Sequence, residues 1–189
     1  LGQAAWGHAL WDAALHSGLP CVIDADALNL LSRESVRIAG RDVSSPSSLP
    51  SLDHGLHVLT PHPGEAARLL GRTTEKIQND RYGSARELAS RYKAVVVLKG
   101  AGSLIADPDG HVAVCPWGNP GMASGGMGDV LTGVIAALMG QGLSAWDAAR
   151  LGVAVHARAG DLAAGDQPRG LIATDLFPAL RRLVNTFFI

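Results

Sequence analysis

Between positions 118 and 129 the chain reads Gly-Asn-Pro-Gly-Met-Ala-Ser-Gly-Gly-Met-Gly-Asp, and Val130, Leu131, Val134, Ile135 and Leu138 then recur at helical spacing. A helix that opens in glycine leaves backbone N–H groups unpaired. It also lets an oxyanion approach without meeting a Cβ, at the positive end of the helix dipole. Gly125, Gly126, Met127 and Gly128 are therefore candidate anion ligands. Asp129 falls inside that first turn, where a carboxylate could take a proton from a hydroxyl attacking phosphorus. The alternative is that Asp129 only complements the dipole and the glycines only permit close helix packing, since a glycine cluster alone is a weak signal.

Three further groups stand where short apolar runs give out. Cys21-Val22-Ile23 leads into Asp24, Asp26 and Asn29; His57–Thr60 leads into Pro61-His62-Pro63-Gly64-Glu65; Ala94–Leu98 leads into Lys99-Gly100-Ala101-Gly102-Ser103. The runs read as buried parallel strands, and in open α/β sheets ligands bind at the carboxyl ends of the strands. Taken alone, Asp24 or Asp26 reads more readily as a helix cap than as a ligand. His62 is held between two prolines, which makes it a better ligand candidate than a lone histidine. Lys99 needs a solvated or paired charge at a buried strand end, and a nucleotide phosphate would supply the partner.

The elements that position these groups alternate between strand and helix. Residues 3–17 read as an amphipathic helix burying Trp6, Leu10, Ala14 and Leu15, and Ala66–Leu70 as a short one. A polar helix is expected from Glu75 to Tyr92 with Ala85, Leu88, Ala89 and Tyr92 inward. A hairpin pairs Leu104–Ala106 with His111–Val114 around Asp107-Pro108-Asp109-Gly110. Ser144 and Asp147 form a capping box for a helix reaching Ala164, with His156 as a core or edge histidine, and Thr174 caps a final helix through Leu176, Leu180 and Leu183. Residues 40–55, rich in Ser, Pro and Gly, read as a surface loop within one domain. The 189 residues, 47% hydrophobic with a formal net charge of −1, suit one domain and lack the basic excess of a nucleic-acid or anionic-membrane partner. No run approaches the roughly 20 apolar residues of a membrane span. Cys21 and Cys115 have no metal-type spacing and read as core or near-core thiols of a cytoplasmic protein.

Taken together, Asp24-Ala-Asp-Ala-Leu-Asn29, Thr60-Pro-His-Pro-Gly-Glu65, Lys99-Gly-Ala-Gly-Ser103 and Asn119-Pro-Gly-Met-Ala-Ser-Gly-Gly-Met-Gly-Asp129 resemble the ADP-dependent NAD(P)H-hydrate dehydratases of the ribokinase-like superfamily. The resemblance covers essentially the whole chain. It implies a ribokinase-like α/β fold, a mainly parallel central sheet flanked by helices, with residues 1–189 forming one catalytic domain. Family members carry further strands before a Gly-Pro-Gly-Leu-Gly loop, and this chain opens within that loop at Leu1-Gly2. The first strands are therefore expected to be absent and the fragment to bind nucleotide poorly. An epimerase domain precedes this one on the same chain in many bacteria, and a homo-oligomer is expected.

The same resemblance assigns Lys99, Gly100, Ala101, Gly102, Ser103 and Gly125–Gly128 to the nucleotide, and Gly2, His62 and Asp129 to hydrated NADH or NADPH. Glu65 stands three residues after His62, as in the magnesium-associated Asn-x-x-Glu of ribokinases, with histidine replacing the asparagine. Magnesium is expected there, reached through water. The implied reaction has Asp129 taking the proton of the ring hydroxyl while its oxygen attacks the β-phosphorus of ADP, giving AMP, phosphate and NAD(P)H. Two alternatives stay open: a small-molecule kinase of a vitamin precursor on the same fold, and a non-catalytic nucleotide-binding module.

Overall fold

The computed structural model describes residues 2, 4–39 and 56–185, so the expected loop at 40–55 lies outside the described residues. Five strands form one sheet in chain order: β1 (Val22–Ile23), β2 (Val58–Leu59), β3 (Val95–Leu98), β4 (Leu104–Ala106) and β5 (Val112–Val114). The first three run parallel, and β3–β4–β5 form an antiparallel meander. The carboxyl ends of β1, β2 and β3 thus share one edge with the β3–β4 turn. Helices cover both faces: α1 (Ala5–His16), α2 (Asp26–Ala39), α3 (Pro63–Leu70), α4 (Thr74–Asn79), α5 (Arg81–Tyr92), α6 (Met127–Gly140), α7 (Ala145–Ala164) and α8 (Leu176–Val184).

The period-two alternation of strand side chains divides the core. Val96 and Leu98 of β3 pack with Leu59 of β2 and with Leu69, Ala85 and Leu88 of α3 and α5. Val95 and Val97 point the other way, to Val58, Ile105, Leu131 and Ile135, and to the alanines of α7. Because all four β3 side chains are buried, the run Val95–Leu98 is apolar without alternation, as a strand covered on both faces should be. A third cluster, Met127, Ala159, Ala164, Leu171 and Leu176, seats the start of α6 against α7 and α8.

Three local expectations are revised. In α1 the buried row is Gly7 and Trp11, with Leu15 packed on the core, while Trp6 is 70% exposed and Leu10 39%. Two apolar rows lie side by side on this helix, and the one carrying the indole of Trp11 faces inward. The single helix expected over 75–92 is two, because Asp80 leaves helical geometry (φ −139°, ψ 74°) and its carboxylate accepts the N–H of Gly83 at 2.8 Å to cap α5. The inward stripe of Ala85, Leu88, Ala89 and Tyr92 is buried as expected. Thr174 does not cap α8; it lies in a 3₁₀ turn, Ala173–Asp175, where Asp175 accepts the N–H of Ile172 at 2.9 Å.

Candidate functional site

At the carboxyl end of β3 stands Lys99. Its Nζ lies 2.8 Å from Asp24 Oδ1 and 3.8 Å from Glu65 Oε2. The three side chains are 22%, 10% and 7% exposed, so this is a partly closed pit holding one more carboxylate than cation. Lys99 is therefore paired within the protein while still 22% exposed at the strand end. The second oxygen of Asp24 accepts the Thr132 hydroxyl at 3.1 Å, which ties the end of β1 to the second turn of α6. Asp24 Oδ1 also accepts the N–H of Ala25, a residue at positive φ (52°).

His62 and Glu65 are fixed by the start of α3. The His62 N–H donates to Glu65 Oε2 at 2.7 Å, and His62 Nδ1 accepts the Gly64 N–H at 3.0 Å, a reciprocal cap in which histidine takes the usual Ser or Thr place. The imidazole Nε2 is 3.5 Å from Glu65 Oε1, yet half of the side chain faces solvent. Glu65 is buried; His62 stands above it at the rim.

The turn Lys99–Ser103 closes on itself. Ser103 Oγ donates to the Gly100 carbonyl at 3.1 Å and accepts its N–H at 3.3 Å, so its donor is engaged within the turn. Gly100 and Ala101 are exposed, Gly102 and Ser103 half-buried. The guanidinium of Arg81 reaches this turn from α5, and burial pulls it below its ordinary pKa.

Opposite, α6 begins at Met127 with Gly126 as its cap at φ +85°, a left-handed conformation that an L side chain resists. No side chain caps this end. Gly125 and Asp129 are exposed, Gly126 and Gly128 half-buried, Met127 buried. Among the described residues Asp129 has no hydrogen-bond or ion-pair partner. A Cβ on Gly128 would sit 3.4 Å from both Asp24 Oδ2 and Lys99 Nζ, so the open helix start and the charged pit are in contact. Gly2 comes to the same edge, its N–H donating to Asp26 Oδ2 at 2.9 Å.

Behind the turn, Asp161 of α7 accepts the Gly118 N–H at 3.1 Å and the Asn119 amide at 3.2 Å, and Asn119 in turn caps the 3₁₀ turn Pro120–Met122. His156 of α7 is buried beside Met127; burial pulls its pKa down to about 4, partly opposed by the Met127 backbone. Among the described residues its Nε2 and the Ser124 hydroxyl, like the Ser84 hydroxyl in α5, are buried without hydrogen-bond partners. Both cysteine thiols are pushed up by burial, which makes them poor nucleophiles. A separate cluster of Asp107, Asp109 and His111 lies in the β4–β5 turn, at the opposite sheet edge.

The structure thus gathers Lys99, Glu65, His62, Gly128 and Gly2 along one edge with Asp129 at its margin. Sequence reasoning left Thr132, Arg81 and Asp161 unmarked, and it noted Asp24 without linking it to Lys99. Partners 75 positions apart (Lys99 and Asp24) leave no local pattern; a carboxylate after one strand and a lysine after another was the available signal.

A family profile described as NAD(P)H-hydrate dehydratase matches residues 1–182. The chain is 47% identical over 186 residues to a bifunctional NAD(P)H-hydrate repair enzyme of Coxiella burnetii, covering 98% of this chain and 35% of that protein. It is 39% identical over 187 residues to an ADP-dependent (S)-NAD(P)H-hydrate dehydratase of Neisseria meningitidis, covering 97% and 60%. The chain therefore spans about a third of the length of the first relative and under two thirds of the second. Among solved structures it is similar to the ADP/ATP-dependent NAD(P)H-hydrate dehydratase of Bacillus subtilis crystallised with ATP and Mg2+, with TM-score 0.79, 31% identity, and 99% and 62% of the two chains covered. A hydroxyethylthiazole kinase of Pyrococcus horikoshii shares the fold at TM-score 0.70 and 20% identity, with 96% and 68% covered.

Proposed function

Because this chain belongs to the NAD(P)H-hydrate dehydratase family, we propose that it serves the ADP-dependent dehydration of hydrated NADH or NADPH, with Asp129 as the general base. The observation that carries this reading is the uncapped glycine start of α6, with an unpartnered carboxylate in its first turn and a pit of Asp24, Glu65 and Lys99 against Gly128. Asp129 takes the proton of the ring hydroxyl as that oxygen bonds to the β-phosphorus of ADP, and the bond to the bridging oxygen breaks to release AMP. The backbone N–H groups at Gly125–Gly128 hold the charge on the transferring phosphoryl group. The ring nitrogen's electron pair then expels phosphate, and loss of a proton from the neighbouring carbon restores the double bond. Lys99 and the turn to Ser103 hold the nucleotide, and His62 and Gly2 line the side of the hydrated nicotinamide.

Magnesium fits the donor set. Asp24 and Glu65 offer hard oxygen ligands in a pit with an excess of carboxylate, and magnesium is commonly held by one or two carboxylates plus phosphate oxygens and water. When bound it would neutralise phosphate charge. The Bacillus relative's crystallisation with ATP and Mg2+ supports the choice.

Phosphate release from ADP with hydrated NADPH, compared with ADP plus simple alcohols, tests the reading. Release with the hydrate alone is expected. Equal release with alcohols would point to a kinase, and no release with either would leave only nucleotide binding.

A further inference from the structure

The break between α4 and α5 has a consequence at the nucleotide turn. Asp80 restarts the helix at Arg81, and a cation in the first turn opposes the helix dipole. The side chain nevertheless runs to the sheet edge. Its Nη2 donates to the Leu98 carbonyl and to the Gly102 carbonyl, both at 3.2 Å, and Nη1 donates to Gln78 Oε1 at 3.2 Å. Leu98 and Gly102 stand immediately before and near the end of the Lys99–Ser103 turn, so one guanidinium bridges both arms of it. Gly100 lies against the same group: at its φ of +146° a Cβ would be 2.6 Å from Nη1. The turn is therefore moulded on Arg81, with Ser103 Oγ fastening it from inside. In a planar trans peptide the N–H points opposite to the carbonyl, so fixing the Gly102 carbonyl also fixes the direction of the Ser103 N–H.

Resting on the nucleotide reading above, we propose that Arg81 is a positioning residue for the nucleoside diphosphate: its guanidinium sets the Lys99–Ser103 turn in the shape that receives ADP. It acts on the nucleotide through the turn and leaves the base, Asp129, untouched. A lysine is a poor replacement, because one ammonium can meet the two carbonyls but lacks the second, coplanar nitrogen by which Gln78 Oε1 holds the group in place.

The test uses the full chain, reading ADP affinity by calorimetry and both substrates' KM and kcat. Arg81→Ala is expected to weaken ADP binding and raise the ADP KM at least about 10-fold, the scale of one or two hydrogen bonds to a charged group. The KM for the hydrated nucleotide should stay within about 2-fold and kcat within about 3-fold. Added guanidinium ion should restore ADP affinity to the alanine variant and do nothing to the wild type. Should the alanine variant not fold, Arg81→Lys serves instead, with ADP KM raised and melting temperature near wild type. An unchanged ADP KM in a folded variant overturns the proposal while leaving the proposed function standing, and so does an equal loss across both substrates and kcat. Wild-type protein that fails to bind ADP overturns both.

Discussion

The Lys99 pit and the start of α6 touch at Gly128 and are built in opposite ways. In the pit each charged group has an internal partner: Lys99 meets Asp24 and Glu65, Asp24 also holds Thr132, and Glu65 also holds the His62 backbone. At the helix start the cap is a glycine with no side chain to offer, Asp129 has no partner among the described residues, and Ser124 and His156 each bury a polar atom unsatisfied. A helix end without a cap and buried polar atoms without partners both carry a cost that a fold seldom keeps unless another group completes them. The charges of the pit are thus paired within the protein, while the helix start offers backbone N–H groups that no side chain caps among the described residues. Chemistry is assigned to the incomplete side and placement to the complete one.

Asp129→Asn breaks that contrast most sharply. On the incomplete side the carboxylate contributes nothing to internal pairing, so its loss should leave the melting temperature within experimental scatter and ADP affinity nearly intact. Turnover should fall about 10²–10⁴-fold, the usual worth of a general base. Single-turnover phosphate release with hydrated NADPH measures it, and a variant retaining wild-type rate would remove Asp129 from the mechanism.

The two regions were also unequally legible in the sequence. The glycine start could be read because its signal is local: five glycines and an aspartate in one short run, followed by helical spacing. The strand ends at Asp24, His62 and Lys99 were legible for the same reason, since each apolar run stops at a charged or imidazole group. Their assembly was not. Lys99 meeting Asp24 depends on the order of β1, β2 and β3 in the sheet, which no spacing encodes. The inward row of α1 was misread because Trp6–Leu10 and Gly7–Trp11 are adjacent rows, and only packing on the sheet decides between them. The break at Asp80 left one faint trace, an aspartate three residues before a glycine within an otherwise helical run, and it is this break that aims Arg81.

On the finished side, Lys99→Ala should show two effects that a second substitution can separate. Removing the ammonium leaves Asp24 and Glu65 facing one another with little solvent, which should cost roughly 1–3 kcal/mol of stability, discounted because Lys99 is partly exposed. The ADP KM should rise about 10-fold or more, with a smaller fall in kcat. Adding Asp24→Asn relieves the carboxylate repulsion and should recover stability without recovering the KM. If the double variant regains both, Lys99 is a structural partner of Asp24 and has no part in holding nucleotide.

The smallest effect expected comes from His156, which sits behind the incomplete side and joins it to α7. Burial holds its folded-state pKa at about 4, below the ordinary value of 6.5, so the folded protein keeps it neutral over a range in which the unfolded chain takes up a proton. Above about pH 6.5 neither state is protonated there and the residue contributes no pH dependence. As pH falls from 6.5 towards 4 the unfolded state is favoured, by about 2 kcal/mol at pH 5 relative to pH 7, and the slope levels off below the folded pKa. His156→Leu removes that slope. An apolar replacement loses no hydrogen bond from Nε2, which has no partner among the described residues, but it gives up the imidazole's bond to the Met127 backbone, so stability at pH 7 should fall by about 1 kcal/mol. Urea unfolding of wild type and variant at pH 7 and pH 5 gives the comparison: the wild type should lose about 2 kcal/mol more than the variant on acidification. Equal losses would mean that His156 is protonated in the folded state as readily as in the unfolded one, so that burial does not depress its pKa.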